Sequence, residues 1–225
     1  MLRKIPFLLL LLPYSLSAQE ADDNKNAGRF MLGLRTTMSA FSDVGYYGFG
    51  TGGQFRLQLG PKLNTEWYYD HIQTDIGGLG RRVDEHIGWS VMYYALGQKT
   101  AKGKFTPYVE AGNCFDYTSV RQNLTGGTLV SRGSAAVHLG IGTHFNLSEH
   151  ADITFKAQYM LHVGSGVEEE IKTDDLTQAK TLVITKGSAA IDGHLLMTCS
   201  INFLVADLWK GHLFKKKTND ASSTK

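Results

Sequence analysis

The residues with chemistry to offer are two histidines, His138 and His144, and a set of charged side chains: Arg35, Arg56, Glu66, Asp70, Glu110, Asp116 and Lys156. Each falls in a stretch where apolar and polar residues alternate with period two, and each belongs to the polar set. Six residues along a strand span ~20 Å, so His138 and His144 cannot share a metal held ~2 Å from each nitrogen. The chain has no Gly-x-Ser-x-Gly elbow, no Walker loop and no metalloprotease helix. Gly77-Gly78-Leu79-Gly80 is flexible backbone rather than a phosphate cradle, because no helix follows it. No catalytic, cofactor-binding or metal-binding residue is therefore assigned. Charges of both signs on one face of strands must pair with each other if that face encloses a narrow interior. They are read as a self-satisfied polar plug.

The elements that would position these charges follow from composition and pattern. The chain has 225 residues, 42% of them hydrophobic, with 25 Gly, 4 Pro and 2 Cys. Two cysteines supply neither a disulfide framework nor a four-ligand zinc site. A mean hydropathy of −0.18 excludes a bundle of membrane helices, but not a membrane β-barrel, whose alternating segments average out. Net charge is +2, and both extra positives, Arg3 and Lys4, lie at the start, so no surface for nucleic acid is implied. They precede the apolar stretch Ile5 to Leu12 and the small residues Ser15-Leu16-Ser17-Ala18, which together read as an export signal over residues 1–18. Its removal leaves cations and acids equal in number. Residues 19–27 are a polar lead-in.

From Gly28 the alternation runs through eight strands. Phe55, Leu57 and Leu59 oppose Gln54, Arg56 and Gln58, and Trp67 and Tyr69 oppose Glu66, Tyr68 and Asp70. The eighth strand sets Leu195, Met197, Cys199, Ile201 and Phe203 against His194, Thr198, Ser200 and Asn202. Short connections at 60–62, 97–104 and 146–150 alternate with longer ones at 38–50, 75–84, 122–131 and 164–187. That is the plan of an all-β, eight-stranded antiparallel up-and-down transmembrane β-barrel with its short turns and both termini in the periplasm. A soluble barrel of the lipocalin kind has the same period but turns its apolar face inward. The barrel is placed at residues 28–203. Residues 204–225 form a periplasmic tail in which Leu204, Val205, Leu208, Trp209 and Leu213 recur at helical spacing before a disordered basic end.

At this point the chain resembles the small outer-membrane barrels of Gram-negative bacteria, of the OmpA-transmembrane-domain and OmpX type. The resemblance rests on the strand pattern, the export signal and the terminal strand Leu195-x-Met197-x-Cys199-x-Ile201-x-Phe203. It implies an outer-membrane location among lipid and lipopolysaccharide, and recognition of that strand by the barrel-assembly machinery. One departure is that 22 residues follow Phe203. His162-Val163-Gly164-Ser165 is weakly similar to the histidine and serine of outer-membrane lipid A deacylases, but the spacing differs. The expected role is structural, or recognition of a surface ligand through aromatic loop 1 (Tyr46, Tyr47, Phe49) and acidic loop 4 (Glu168, Glu169, Glu170, Asp174, Asp175). A narrow channel for small solutes is the alternative, and a lipid A-modifying enzyme a third reading.

Two pairings are expected. The three-residue link Gly60-Pro61-Lys62 places Arg56 opposite Glu66 on the inward face. Cys114 inward and Cys199 outward cannot meet, so both thiols are free.

Overall fold

The computed structural model describes residues 26–41, 46–124, 127–209 and 212–213. The export signal, most of the lead-in and the basic end of the tail lie outside them. Eight long strands follow in order: β1 (Arg29–Phe41), β2 (Tyr47–Gln58), β3 (Leu63–Ile76), β4 (Gly80–Tyr93), β5 (Phe105–Gln122), β6 (Leu129–Ser148), β7 (Ala151–Thr173) and β8 (Lys180–Asp207). Each is hydrogen-bonded antiparallel to the next, and β1 also pairs with β8, so the sheet closes into a barrel. A two-residue strand, β9 (His212–Leu213), pairs with Ala206 and Asp207.

The alternation decides which side each residue faces. On β4, Ile87, Trp89 and Tyr93 are exposed, while His86, Ser90 and Met92 are buried. On β5, Phe115 and Tyr117 are exposed beside buried Cys114 and Asp116. The barrel is therefore inside-out, apolar and aromatic outside, charged inside. Water would reject that exterior and hydrocarbon accepts it, which rules out the lipocalin arrangement. At the end where the termini lie, Phe105 and Phe145 pack with ring centroids 4.8 Å apart, and Phe30, Phe55 and Trp67 form a further aromatic row.

Register follows the odd link. Leu59 and Gly60 both donate their N–H to the Leu63 carbonyl, at 3.0 and 3.1 Å, and Arg56 stands opposite Glu66 as expected.

Two expectations are corrected. The connections expected at 38–50, 75–84 and 164–187 are mostly strand. β3 and β4 are joined by residues 77–79 alone, where Gly77 and Gly78 take positive φ of 59° and 74°. β7 runs to Thr173 and β8 begins at Lys180. Ile171, Leu182 and Ile184 keep the period of two among the charges, so the hairpin propagates far beyond the ~9–11 residues needed to cross hydrocarbon. At the other end, Leu204–Asp207 continue β8 instead of starting a helix, and β9 hydrogen-bonds back to them. The strand takes these residues because β1 and β9 offer partners on both of its edges.

Cys114 and Cys199 are both free, the first buried and the second exposed on the outer wall. In folded protein in a bilayer, a membrane-soluble maleimide is expected to label Cys199 alone, with Cys114 reacting only after unfolding. Labelling of Cys114 in the folded barrel would put it on the wrong face.

Candidate functional site

The lumen is filled in layers, because inward residues two apart on each strand meet those of the neighbouring strands at the same height. Nearest the termini, Arg56 pairs with Asp152 and also donates to His144 Nδ1 at 2.8 Å. His144 in turn contacts Thr154 Oγ1 at 2.7 Å and the Tyr94 hydroxyl at 2.9 Å. The expected Arg56–Glu66 ion pair is not what the register produces. Arg56 reaches toward the terminal end, where Asp152 supplies the carboxylate, and Glu66 belongs to the next layer.

In that layer Lys156 Nζ donates to Glu66 Oε1 at 2.7 Å and lies 3.4 Å from Glu110 Oε1. Arg35 joins Glu66 at 3.4 Å and Asp70 at 2.9 Å. The Tyr68 ring covers both cations, 4.4 Å from the Arg35 guanidinium carbon and 5.1 Å from Lys156 Nζ. Each of these side chains is excluded from solvent, so the cations and carboxylates depend on one another. Above them lies an apolar ring of Tyr68, Ile72, Cys114, Ala136, Met160 and Leu196.

The next layer is centred on Asp116. Its Oδ1 is 3.3 Å from His86 Nε2 and its Oδ2 is 3.1 Å from His162 Nδ1. Ser134 donates to the same Oδ2 at 3.2 Å, and Arg132 approaches it at 3.9 Å. His162 Nε2 lies 3.2 Å from His194 Nδ1, and those two rings stack with centroids 4.8 Å apart. One ring nitrogen from each of His86, His162 and His194 falls within 4.8 Å of the others, so these three residues could hold a metal ion. His138 and His144 do not meet: His138 bonds Ser90 at 2.9 Å in another part of the lumen. His162 is buried in the lumen.

Arg82 then joins Asp84 at 2.9 Å and Glu169 at 3.2 Å. Glu169 thus leaves the acidic loop and turns inward, while Glu168, Glu170, Asp174 and Asp175 stay exposed. Above this pair the polarity of the wall reverses. Ile76, Val120, Val167, Leu182 and Ile184 point inward and pack together under Tyr46, Leu79, Val130 and Ile171, while charges point outward. A β-bulge between Ser165 and Val167 on β7 accompanies the change. Of loop 1, Tyr46 packs on this cap, whereas Tyr47 and Phe49 of β2 are exposed.

The buried carboxylates Glu66, Asp70, Asp84, Glu110, Asp116 and Asp152 outnumber the buried cations Arg35, Arg56, Arg82, Arg132 and Lys156 among the described residues. Asp84, Asp152, Arg82, Arg132, His86 and His194 were not singled out from sequence as site residues. Their inward parity was legible on their strands. Which of them meet required the closed ring.

No family model and no curated protein matches the chain. Solved structures do. Neisserial surface protein A superposes with a TM-score of 0.55 at 13% identity, covering 79% of this chain and 97% of that one. A major outer membrane protein from Thermus thermophilus superposes with a TM-score of 0.53 at 12% identity, covering 77% and 98%. At such identities the likeness is one of fold. That fold is the closed eight-stranded antiparallel barrel that the strand pattern implied.

Proposed function

We propose that the protein is a non-catalytic barrel of the bacterial outer membrane, closed to solutes, which acts at the cell surface through its long hairpins. The observation that carries this reading is the reversal of polarity along the wall. The outer face is apolar through the girdled zone and becomes charged where the inner face becomes apolar. An apolar interior under a charged exterior is what a barrel needs once it stands in water. The hairpins β5–β6 and β7–β8 therefore rise out of the bilayer as packed stalks. Their interior sits as a dry cap over the ion-paired layers, and a hydrated path would have to breach both.

The two similar structures, one a neisserial surface protein and the other a major outer membrane protein, support the location. The short links and both termini then face the periplasm, and Leu195, Met197, Cys199, Ile201 and Phe203 form the outward face of the strand offered to the assembly machinery. The exposed Glu168, Glu170, Asp174 and Asp175 would stand beside lipopolysaccharide phosphates, with divalent ions between them. Tyr47 and Phe49 offer aromatic surface to a ligand.

Two measurements test the reading. The membrane fraction is expected to show heat-modifiable migration, since a hydrogen-bonded ring resists SDS until boiled. Purified barrel in planar bilayers is expected to give no steady openings. A soluble, SDS-sensitive protein would refute the location, and stable unitary conductance would restore the narrow-channel alternative.

A further inference from the structure

We propose that His86, His162 and His194 form a structural binding site for a first-row divalent metal ion, zinc in the first instance, which ties opposite walls of the barrel together across the lumen. His86 stands on β4, and His162 and His194 on β7 and β8. In a ring of eight strands closed by the β1–β8 pair, β4 lies diametrically across from β8. No backbone hydrogen bond links these walls, so a shared ion would be their most direct connection.

The donor set suits the ion. Neutral imidazoles are preferred ligands of zinc, copper and nickel, and three of them leave a fourth position open. Zinc–nitrogen bonds of ~2.0–2.1 Å in a tetrahedron put ligand nitrogens about 3.3 Å apart. His162 Nε2 and His194 Nδ1 are already 3.2 Å apart, and one ring nitrogen from each of the three histidines lies within 4.8 Å of the others, so closure needs a shift of roughly 1–1.5 Å.

The surroundings suit it too. Histidine ligands are commonly oriented by a carboxylate on the second ring nitrogen. Asp116 stands at that place for two of the three, 3.3 Å from His86 Nε2 and 3.1 Å from His162 Nδ1. With the His162 Nδ1 proton turned to Asp116, His162 Nε2 is a lone pair facing His194, while His86 stands at ion-pair distance from Asp116 without a hydrogen bond to it. Neither ring nitrogen of His86 has a hydrogen-bond partner among the described residues, although the ring is fully buried. Buried nitrogen without a partner is disfavoured, and a metal ion supplies one. The excess of buried carboxylate in the lumen attracts the cation.

The test uses the full mature chain without a polyhistidine tag, refolded in detergent with Zn²⁺ and then desalted. One zinc per chain is expected by elemental analysis for the wild type and for His138→Gln, whose histidine is buried in the lumen outside the cluster. His86→Gln, His162→Gln and His194→Gln, each checked for folding by heat-modifiable migration, are expected to lose it. Co²⁺ should give the intense visible bands of a four-coordinate site, abolished by added Zn²⁺. The wild-type urea midpoint should rise with Zn²⁺ while that of His86→Gln does not. A folded wild type that retains no zinc overturns the proposal, as does equal retention by a folded His86→Gln. Should the variants not fold, the wild type decides through its stoichiometry and cobalt spectrum. Weak bands of six-coordinate cobalt would mean a surface site and overturn it.

Discussion

Glu66→Ala is expected to destabilise the folded barrel by ~3–5 kcal/mol, measured as a lower urea midpoint in detergent or lipid. Glu66 has no exposed surface, and its Oε1 receives Lys156 at 2.7 Å and Arg35 at 3.4 Å. Alanine leaves both cations in place with less to answer them. Asp70 still holds Arg35 at 2.9 Å, so the stranded charge falls mainly on Lys156, whose nearest remaining carboxylate is Glu110 at 3.4 Å. Asp174→Ala is the matched control. Asp174 is exposed at the tip of the last hairpin, where its carboxylate accepts the N–H groups of Thr177 and Leu176. Those bonds hold its carboxyl below the usual carboxylate range, so the turn loosens if Asp174 is protonated or removed, but no buried charge is uncovered. Equal midpoints for the two variants would show that the layer of Arg35, Glu66 and Lys156 does not form inside the folded barrel.

The faces, the strand count and the β2–β3 register were all legible because they depend on local parity. A strand puts residues 56, 58 and 54 on one side whatever surrounds it, and a three-residue link permits few registers. What parity leaves open is the identity of partners. Arg56 stands opposite Glu66 yet bonds Asp152, 96 residues away, because a long side chain selects its carboxylate by height in the closed ring. The histidine cluster was hidden for the same reason. His86, His162 and His194 lie on the polar parity of three strands, but only ring closure brings β4 to face β7 and β8. Testing pairs of histidines on one strand, as with His138 and His144, searches along the axis, whereas the lumen brings side chains together across it.

The length of the hairpins is masked in the sequence for a different reason. Glu168, Glu169 and Glu170 look like loop composition, yet Val167, Ile171, Leu182 and Ile184 carry the strand period through them. The signal was present with its sign inverted, apolar inward where the rest of the barrel is apolar outward. A search for one constant polarity stops at the membrane boundary, and that is where the expected loops began.

The adjacent pair Tyr68 and Tyr69 isolates the value of the inward face. Tyr68 is buried, roofs Arg35 and Lys156, and meets the His138 ring edge-on at a centroid distance of 6.0 Å. It also explains a glycine. Gly88 is its direct partner on β4, and a Cβ there would come within 2.5 Å of the tyrosine's ring and hydroxyl, so only glycine leaves room for the ring to lie across the strand. Tyr69, one residue on, points to the lipid and is 42% exposed. Tyr68→Ala removes a buried ring, opens a cavity beside Met160 and Leu196 in the apolar ring, and takes the aromatic face from two cations. Its expected cost is ~3–5 kcal/mol. Tyr69→Ala trades a lipid-facing ring for lipid and should cost well under half as much. Urea midpoints of the two variants in the same vesicles make the comparison. A loss at Tyr69 equal to that at Tyr68 would mean that the outer wall, and not the lumen, holds the barrel together.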